Sequence, residues 1–441
     1  MGRSKSTVSI SGRSGPLKLL VVVPAYEPAW AFGGVVRSVS NLCRTMARLG
    51  VDVSVYTTNA DGQRGCLDVP VSRAVSVNGV AVTYLPSSLG PSPAWASRPM
   101  HRKLEQTISG FDAVYISAIW QWIGISACRI ARQNRIPYVI SPHGSFLAPA
   151  LRCGRLKKLA FWYGVLARCI KTAAALRFTT EFERRGSQSF LPEKASFMVP
   201  NSVLVDNGTC RGEDARVNTR CRLGVSKEDF LLLTVTRAHP NKRVDVVIEA
   251  LQSIRRAGRS ARLLVVGPFD NKHGHDLKTL AARRNVSDAI VWAGYQSGEA
   301  LEACYCASDL FVLPSAHENF CMAAAEAMAH GLPIVISKYV GIADDVERHR
   351  AGIVTDLDVE QVAHAALCLT DCDKRREMGR RARDMATQLY GGERVACLVL
   401  RAFEDILTGT RSPECVWQSS CPVAAGDVGT RGSRLSRAGA S

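Results

Sequence analysis

The chain has 441 residues, a formal net charge of +17, 46% hydrophobic and 22% charged residues. That length accommodates two domains with cores of their own, and that balance excludes a chain disordered throughout. No run approaches the ~20 apolar residues a membrane-spanning helix needs, so any membrane contact is expected to be peripheral.

The positive charge must meet something negative, and nucleic acid, anionic lipid and phosphorylated substrates are the candidates. Fifteen cysteines, an odd number without C-x-x-C pairs, give no zinc or disulfide framework. They fit a reducing compartment, and a cytoplasmic location is expected.

Residues 1–15 read as a Ser/Gly/Arg-rich disordered tail, and the apolar run after them is too short for a signal peptide. LLVVVPAY then reads as a buried strand. The loop from Pro24 to Phe32 follows, with Gly33 and Gly34 at its end permitting close backbone approach to a ligand. It is not G-x-G-x-x-G, which argues against a nicotinamide or flavin cofactor. An amphipathic helix ends at Gly50, and VDVSVYTT is the next strand. This order is a βαβ unit with a parallel sheet.

DAVYISA, PYVISPH and LRFTT continue the strand series. His143 ends the second of these, on the side expected to face a cleft. Between Arg129 and Arg185, about a dozen Lys/Arg with few acids interleave with apolar and aromatic residues. This stretch suits either a basic amphipathic helix on an anionic membrane or a pair of core helices with solvated basic faces. Residues 196–228 read as the inter-domain segment, and the sequon at Asn207-Gly208-Thr209 as a chance occurrence.

A second series begins with FLLLTVTR and continues through VDVVIEALQSIRRAG, ARLLVVGPF, AIVWAG, DLFVLPS and PIVISKY. Two doubly wound α/β domains follow, with ligands expected at the carboxyl ends of the strands. Arg237 and Lys242, after the first strand of this series, can converge on one anion, and both suit a diphosphate. Glu318 lies in the turn after LFVLPS, and Glu326 lies inside the helix MAAAEAMAH, which Gly331 and Pro333 terminate. The two carboxylates thus flank a helix N-terminus that can receive a phosphate.

Asp371-Cys372-Asp373 has the form of a metal-binding D-x-D, but it precedes a charged helix and is expected to cap it. No essential metal is expected. The basic helix at 374–385 lacks aromatic interleaving, so no nucleic-acid partner is expected. Residues 391–408 read as a C-terminal helix packing back on the N-terminal domain, and 409–441 as a second disordered tail.

The stretch from Glu318 to Pro333 resembles the E-x7-E signature of family 4 glycosyltransferases, retaining enzymes of the GT-B fold. The likeness includes the preceding Leu-Pro-Ser and the following Glu-Ala-Met-Ala-x-Gly-x-Pro. It extends to Arg237 and Lys242, to the Gly33-Gly34 loop, to His143, and to Val199-Pro200-Asn201-Ser202-Val203 and Ala351-Gly352-Ile353-Val354. By resemblance, Glu318 contacts the donor sugar, Glu326 the nucleotide ribose, and Arg237 and Lys242 the diphosphate. Gly33 and Gly34 lie near the donor phosphates and the acceptor, His143 contacts the donor sugar, and Asn319, Phe320 and Cys321 line the donor site. Cys321 departs from the family pattern, which has glycine there.

The resemblance implies an N-terminal acceptor-side Rossmann-like domain at 16–200 and a donor domain at 201–390, facing each other across a cleft. It implies a UDP- or GDP-sugar as co-substrate, no cofactor, and a glycan or lipid-linked acceptor in exopolysaccharide, capsule or lipopolysaccharide synthesis. A catalytically silent scaffold and a GT-B nucleotide-sugar epimerase are the alternatives.

Overall fold

The computed structural model describes residues 15–409, apart from 63–64, 88–95, 118, 153, 192–193 and 205–211. Both predicted tails and the Asn207 sequon fall outside the described residues, residue 15 and Gly409 excepted.

Strands apolar on both faces belong in parallel sheets covered by helices on each side. Two such sheets form. The first contains, in spatial order, Ser196–Met198, Ala175–Phe178, Tyr138–Ser141, Ala113–Ser117, Lys18–Val22, Asp52–Thr58, Val80–Leu85 and Ala74–Val77. Only its last two strands pair antiparallel. The second contains Ile290–Gly294, Ala261–Val266, Phe230–Val235, Leu310–Leu313, Ile334–Ser337 and Gly352–Thr355, all parallel.

Each sheet reverses its winding once. In the first, the switch lies between Lys18–Val22 and Ala113–Ser117; in the second, between Phe230–Val235 and Leu310–Leu313. The loops leaving these strands open the crevice where ligands bind in such sheets. They carry Gly33, Arg237, Lys242 and Glu318.

The C-terminal helix Gly392–Thr408 buries Val395, Ala396, Val399, Ala402 and Phe403 in one core with Leu19, Val21, Val39 and Leu42 of the first sheet and its first helix. The chain returns to its first domain at Gly391, which bridges to Val203, where it left. The Val203 amide donates to the Tyr390 carbonyl at 2.9 Å. Both crossings thus lie side by side.

The segment 196–228 is not all connection. Ser196–Met198 is an edge strand of the first sheet, and Gly212–Arg222 is a helix against the second. A three-residue strand is too short for an alternating pattern to reveal it. Val80–Leu85 and its hairpin partner Ala74–Val77 add two further strands, absent from the series read in the sequence, at the other edge of the first sheet. Asp371 caps the helix Cys372–Tyr390, accepting from the amides of Asp373 and Lys374 at 3.0 and 3.1 Å. Among the described residues no helix is long and apolar enough to cross a membrane, and no cluster of three His, Cys, Asp or Glu is arranged to hold a metal.

Candidate active site

The helix Met322–Ala329 starts at the carboxyl edge of the second sheet, with Cys321 as its N-cap. Cys321 is buried and takes φ 71°, ψ 73°, a left-handed conformation that favours glycine. The turn therefore keeps its geometry with a Cβ present. Burial pushes the Cys321 thiol pKa up, and the Lys242 charge works against it.

Glu318 and Glu326 stand at either side of this turn, each held by a cation. Lys242 forms an ion pair with Glu318. Burial lowers the Lys242 pKa; the Cys321 thiol opposes this, and the nearby Arg237 charge adds to it. Arg237 itself is exposed at the end of Phe230–Val235. Arg37 Nη1 reaches both Glu326 oxygens at 3.2 Å, across 289 residues and from the other domain. The Tyr305 hydroxyl donates to Glu326 Oε2 at 2.9 Å, and the His330 ring stacks on Tyr305 at 4.9 Å.

The two domains touch along this turn. Gly33, at φ 76°, caps the first helix Gly34–Arg48. A Cβ on Gly34 would lie 3.0 Å from Met322 Cγ, so the glycine lets the two helices approach. Asn319 Nδ2 donates to Thr179 Oγ1 at 2.9 Å, and Thr180 Oγ1 donates to the Asn319 carbonyl at 3.1 Å. The Phe320 ring is buried against Tyr390 at 5.0 Å. It belongs to the core, and only its backbone follows the loop.

His143 follows Tyr138–Ser141 and takes φ 48°. Both ring nitrogens are shielded from solvent and have no partner among the described residues. Burial, with the Arg177 charge, lowers its pKa to about 3, so the ring is neutral at physiological pH. Its neighbour Gly144 approaches Asn319 closely: a Cβ there would lie 2.9 Å from Asn319 Cβ. The Gly144 amide donates to Glu183 Oε1, and Glu183 Oε2 accepts from the amide and hydroxyl of Thr179, both at 2.8 Å.

Gly34, Gly144, Lys242, Glu318, Asn319, Cys321 and Glu326 thus gather along the contact between the two domains; Gly33 and His143 adjoin Gly34 and Gly144 in sequence, and Arg237 is exposed near Lys242. Arg37, Tyr305, Thr179, Thr180 and Glu183 join them and were not picked out from the sequence. Arg37 lies three residues beyond Gly34 on the same helix, a local signal that could have drawn notice. Glu181, two residues before Glu183, pairs with Arg184 and Arg185 at 2.7 Å along its own helix.

A separate depression of about 660 Å3 lies at the opposite edge of the second sheet. Its Arg216 and Arg220 are held by Asp309 at 2.7 and 2.6 Å, and carbonyl oxygens accept further hydrogen bonds from both guanidiniums. Those guanidiniums are structural, and the crevice is the better site.

Two sheets, parallel but for one edge hairpin, whose switch-point loops face each other with carboxylates and cations converging between them, have the architecture of a GT-B glycosyltransferase. Known proteins agree. Residues 217–385 match the family model for glycosyl transferases group 1, and residues 33–201 match the glycosyl transferase 4-like domain. The chain belongs to this family of glycosyltransferases and is an enzyme of that class.

It is 26% identical over 356 residues to the uncharacterized glycosyltransferase MJ1607 of Methanocaldococcus jannaschii, covering 76% of this chain and 84% of that one. It is 25% identical over 426 residues to the GDP-mannose:cellobiosyl-diphosphopolyprenol alpha-mannosyltransferase of Komagataeibacter xylinus, covering 90% of this chain and 95% of that one. The match to lipopolysaccharide 1,2-N-acetylglucosaminetransferase of Salmonella typhimurium is 30% over 173 residues, only 38% of this chain and 45% of that one. Among solved structures, Anabaena Alr3699/HepE in complex with UDP and glucose aligns with a TM-score of 0.67 at 17% identity, over 87% of this chain and 98% of that one. The lipopolysaccharide-biosynthesis glycosyltransferase WaaG aligns at 0.65 and 20%, over 89% and 100%. These two likenesses establish the fold.

Proposed function

We propose that the chain transfers a sugar from a UDP- or GDP-sugar to a hydroxyl of a glycan or lipid-linked acceptor, with retention of anomeric configuration. The observation that carries this reading is the pair of carboxylates flanking the helix N-terminus at Cys321, each already engaged by a cation. Glu326 would take the ribose hydroxyls and Glu318 the donor sugar. Arg237 and Lys242 would hold the diphosphate and offset the charge that develops on it as it leaves. The helix N-terminus adds amide donors for the phosphate.

His143 supports the same reading. Buried polar atoms without partners call for an explanation, and a strained non-glycine residue at a crevice adds to it. A sugar hydroxyl would satisfy one ring nitrogen. In the step itself, the acceptor oxygen bonds to the anomeric carbon on the face from which the diphosphate departs. The bond from that carbon to the phosphate oxygen breaks, and that oxygen receives the acceptor's proton. No metal is invoked, and activity is expected to survive EDTA. Similarity to relatives named for lipopolysaccharide and polyprenol-linked acceptors supports a role in bacterial surface-polysaccharide synthesis at an anionic membrane face.

The test is a thermal-shift screen against UDP-, GDP-, ADP- and TDP-sugars with and without EDTA, since a ligand bound only by the folded state raises its apparent stability. A shift with one nucleotide class, matched by transfer from that donor and loss of transfer in Glu318→Ala, is expected. Absence of any shift, or normal turnover in a folded Glu318→Ala, would overturn the reading. NMR of the product's anomeric proton decides retention.

A further inference from the structure

Between Ala148 and Thr172 the chain carries Arg152, Arg155, Lys157, Lys158, Arg168 and Lys171 and no Asp or Glu. It forms the short helix Ala148–Arg152, then Arg155–Phe161, which passes through a π-helical turn at Trp162–Leu166 into Ala167–Thr172. Trp162, Leu166, Cys169 and Ile170 face inward and join the core beneath. The outer face carries Leu156, 82% exposed, Tyr163, 77% exposed, and Leu159, 42% exposed.

Their spacing of three and four places them on one helical face. A single exposed leucine needs no explanation. Three large apolar side chains in a row, ringed by unopposed cations, do. Arg152, Arg155, Lys157 and Arg168 are exposed and have no acidic partner among the described residues. A helix with a merely solvated basic face would carry polar residues at 156, 159 and 163.

The patch is placed at the crevice. Phe161 lies 6.0 Å from Trp120 and 5.3 Å from Trp122, ring centre to ring centre. Trp120 Nε1 donates to the Ser145 carbonyl at 3.0 Å, two residues beyond His143. The apolar face therefore sits on the first-domain rim, joined to the His143 loop through packed aromatic rings.

We propose that this face, with Leu156, Leu159 and Tyr163 framed by Arg152, Arg155, Lys157 and Arg168, docks the protein on an anionic lipid bilayer. The proposal deepens the proposed function and rests on its membrane-borne acceptor. Charge of one sign without acids matches an anionic surface, and the apolar tips match shallow insertion at the headgroup level. Docking there would hold the His143 side of the crevice against the membrane.

The test is flotation of the full chain with vesicles of phosphatidylcholine alone and of phosphatidylcholine with phosphatidylglycerol. The protein is expected to float with the mixed vesicles, less so as salt rises. Leu156→Ser with Tyr163→Ser should abolish flotation, and Arg155→Gln with Lys157→Gln should weaken partition about 30-fold. All four positions are exposed, so circular dichroism should be unchanged. The thermal shift with nucleotide sugars, measured on the same samples, separates the two readings: its loss strikes the donor assignment and leaves the surface standing. Flotation of the variants equal to wild type would overturn the proposal. So would failure of the wild type to float, or self-association through this face that the serine variants remove.

Discussion

Arg37, on the first helix of the N-terminal domain, reaches both carboxylate oxygens of Glu326 in the second domain at 3.2 Å. The pair is largely shielded, at 26% and 16% side-chain exposure. It therefore acts as more than a surface contact, whose contribution is typically below ~1 kcal/mol. The pair holds the carboxylate proposed for the ribose and ties it to the other domain.

Arg37→Ala should accordingly raise KM for the donor on the order of ten-fold, equivalent to ~1.4 kcal/mol, with a smaller change in kcat. Arg37→Lys should restore part of it, because a point charge replaces a planar fork. Steady-state kinetics with the donor found in the screen decide this. An unchanged KM in Arg37→Ala would show that the contact has no part in donor binding.

His143 makes a prediction about pH. Burial and the Arg177 charge bring its pKa to about 3, against an ordinary value of 6.5. Between those values the unfolded chain binds a proton that the folded one refuses. Stability therefore falls as pH drops through that window and is unaffected by this residue above it. His143→Asn should flatten the slope of unfolding free energy against pH there, by at most about 1.4 kcal/mol per pH unit. Urea unfolding at a series of pH values measures it. An unaltered slope would mean that the ring is protonated in the folded state.

The parts of this site legible in the sequence are those written locally. Glu318, Cys321 and Glu326 are spaced along one strand, turn and helix, and the strand's apolar run and the helix's Gly331-Pro333 stop mark both ends. Lys242 is readable because it follows a buried strand. Tyr305 is not, since it meets Glu326, 21 residues on, only where two helices of the second domain pack; Arg37 meets the same carboxylate across 289 residues and between the domains, and its place after Gly34 is the one local hint. Thr179 and Thr180 read as a strand end, and their contact with Asn319 crosses the same gap. Glu181 and Glu183 lie in one helical turn. Which of them turns inward is set by the angle of that turn against Gly144, and neither residue type nor position reveals it.

Glu183 is fully buried, and burial holds its carboxyl pKa above the usual range although its hydrogen bonds oppose this. It accepts from Gly144 and twice from Thr179, tying the His143 loop to the strand end that meets Asn319. Glu183→Ala leaves those donors without an acceptor, at about 1–3 kcal/mol for each buried group. A loss of at least ~2 kcal/mol in equilibrium unfolding is expected, together with weaker donor binding. Glu183→Gln, which keeps one acceptor oxygen, should lose less. Equal effects of the two variants would show that shape, and not acceptance, is what the site requires.

Cys321 separates conformation from side chain. A left-handed non-glycine residue costs roughly 1–2 kcal/mol, and glycine relieves this while adding about 0.5–1 kcal/mol of chain entropy to be lost on folding. The buried thiol is given up as well. Cys321→Gly should therefore change stability by no more than about 1 kcal/mol and leave the nucleotide-sugar thermal shift intact. Cys321→Val should be far worse, because a β-branched side chain is a true outlier at positive φ. A loss of about 2 kcal/mol or more is expected from strain and from the bulk added beside Lys242 and Glu326. Equilibrium unfolding of both variants gives the contrast. If glycine and valine were tolerated alike, the backbone at 321 would not be held in the left-handed region, and the helix would not present its N-terminus to the crevice as described.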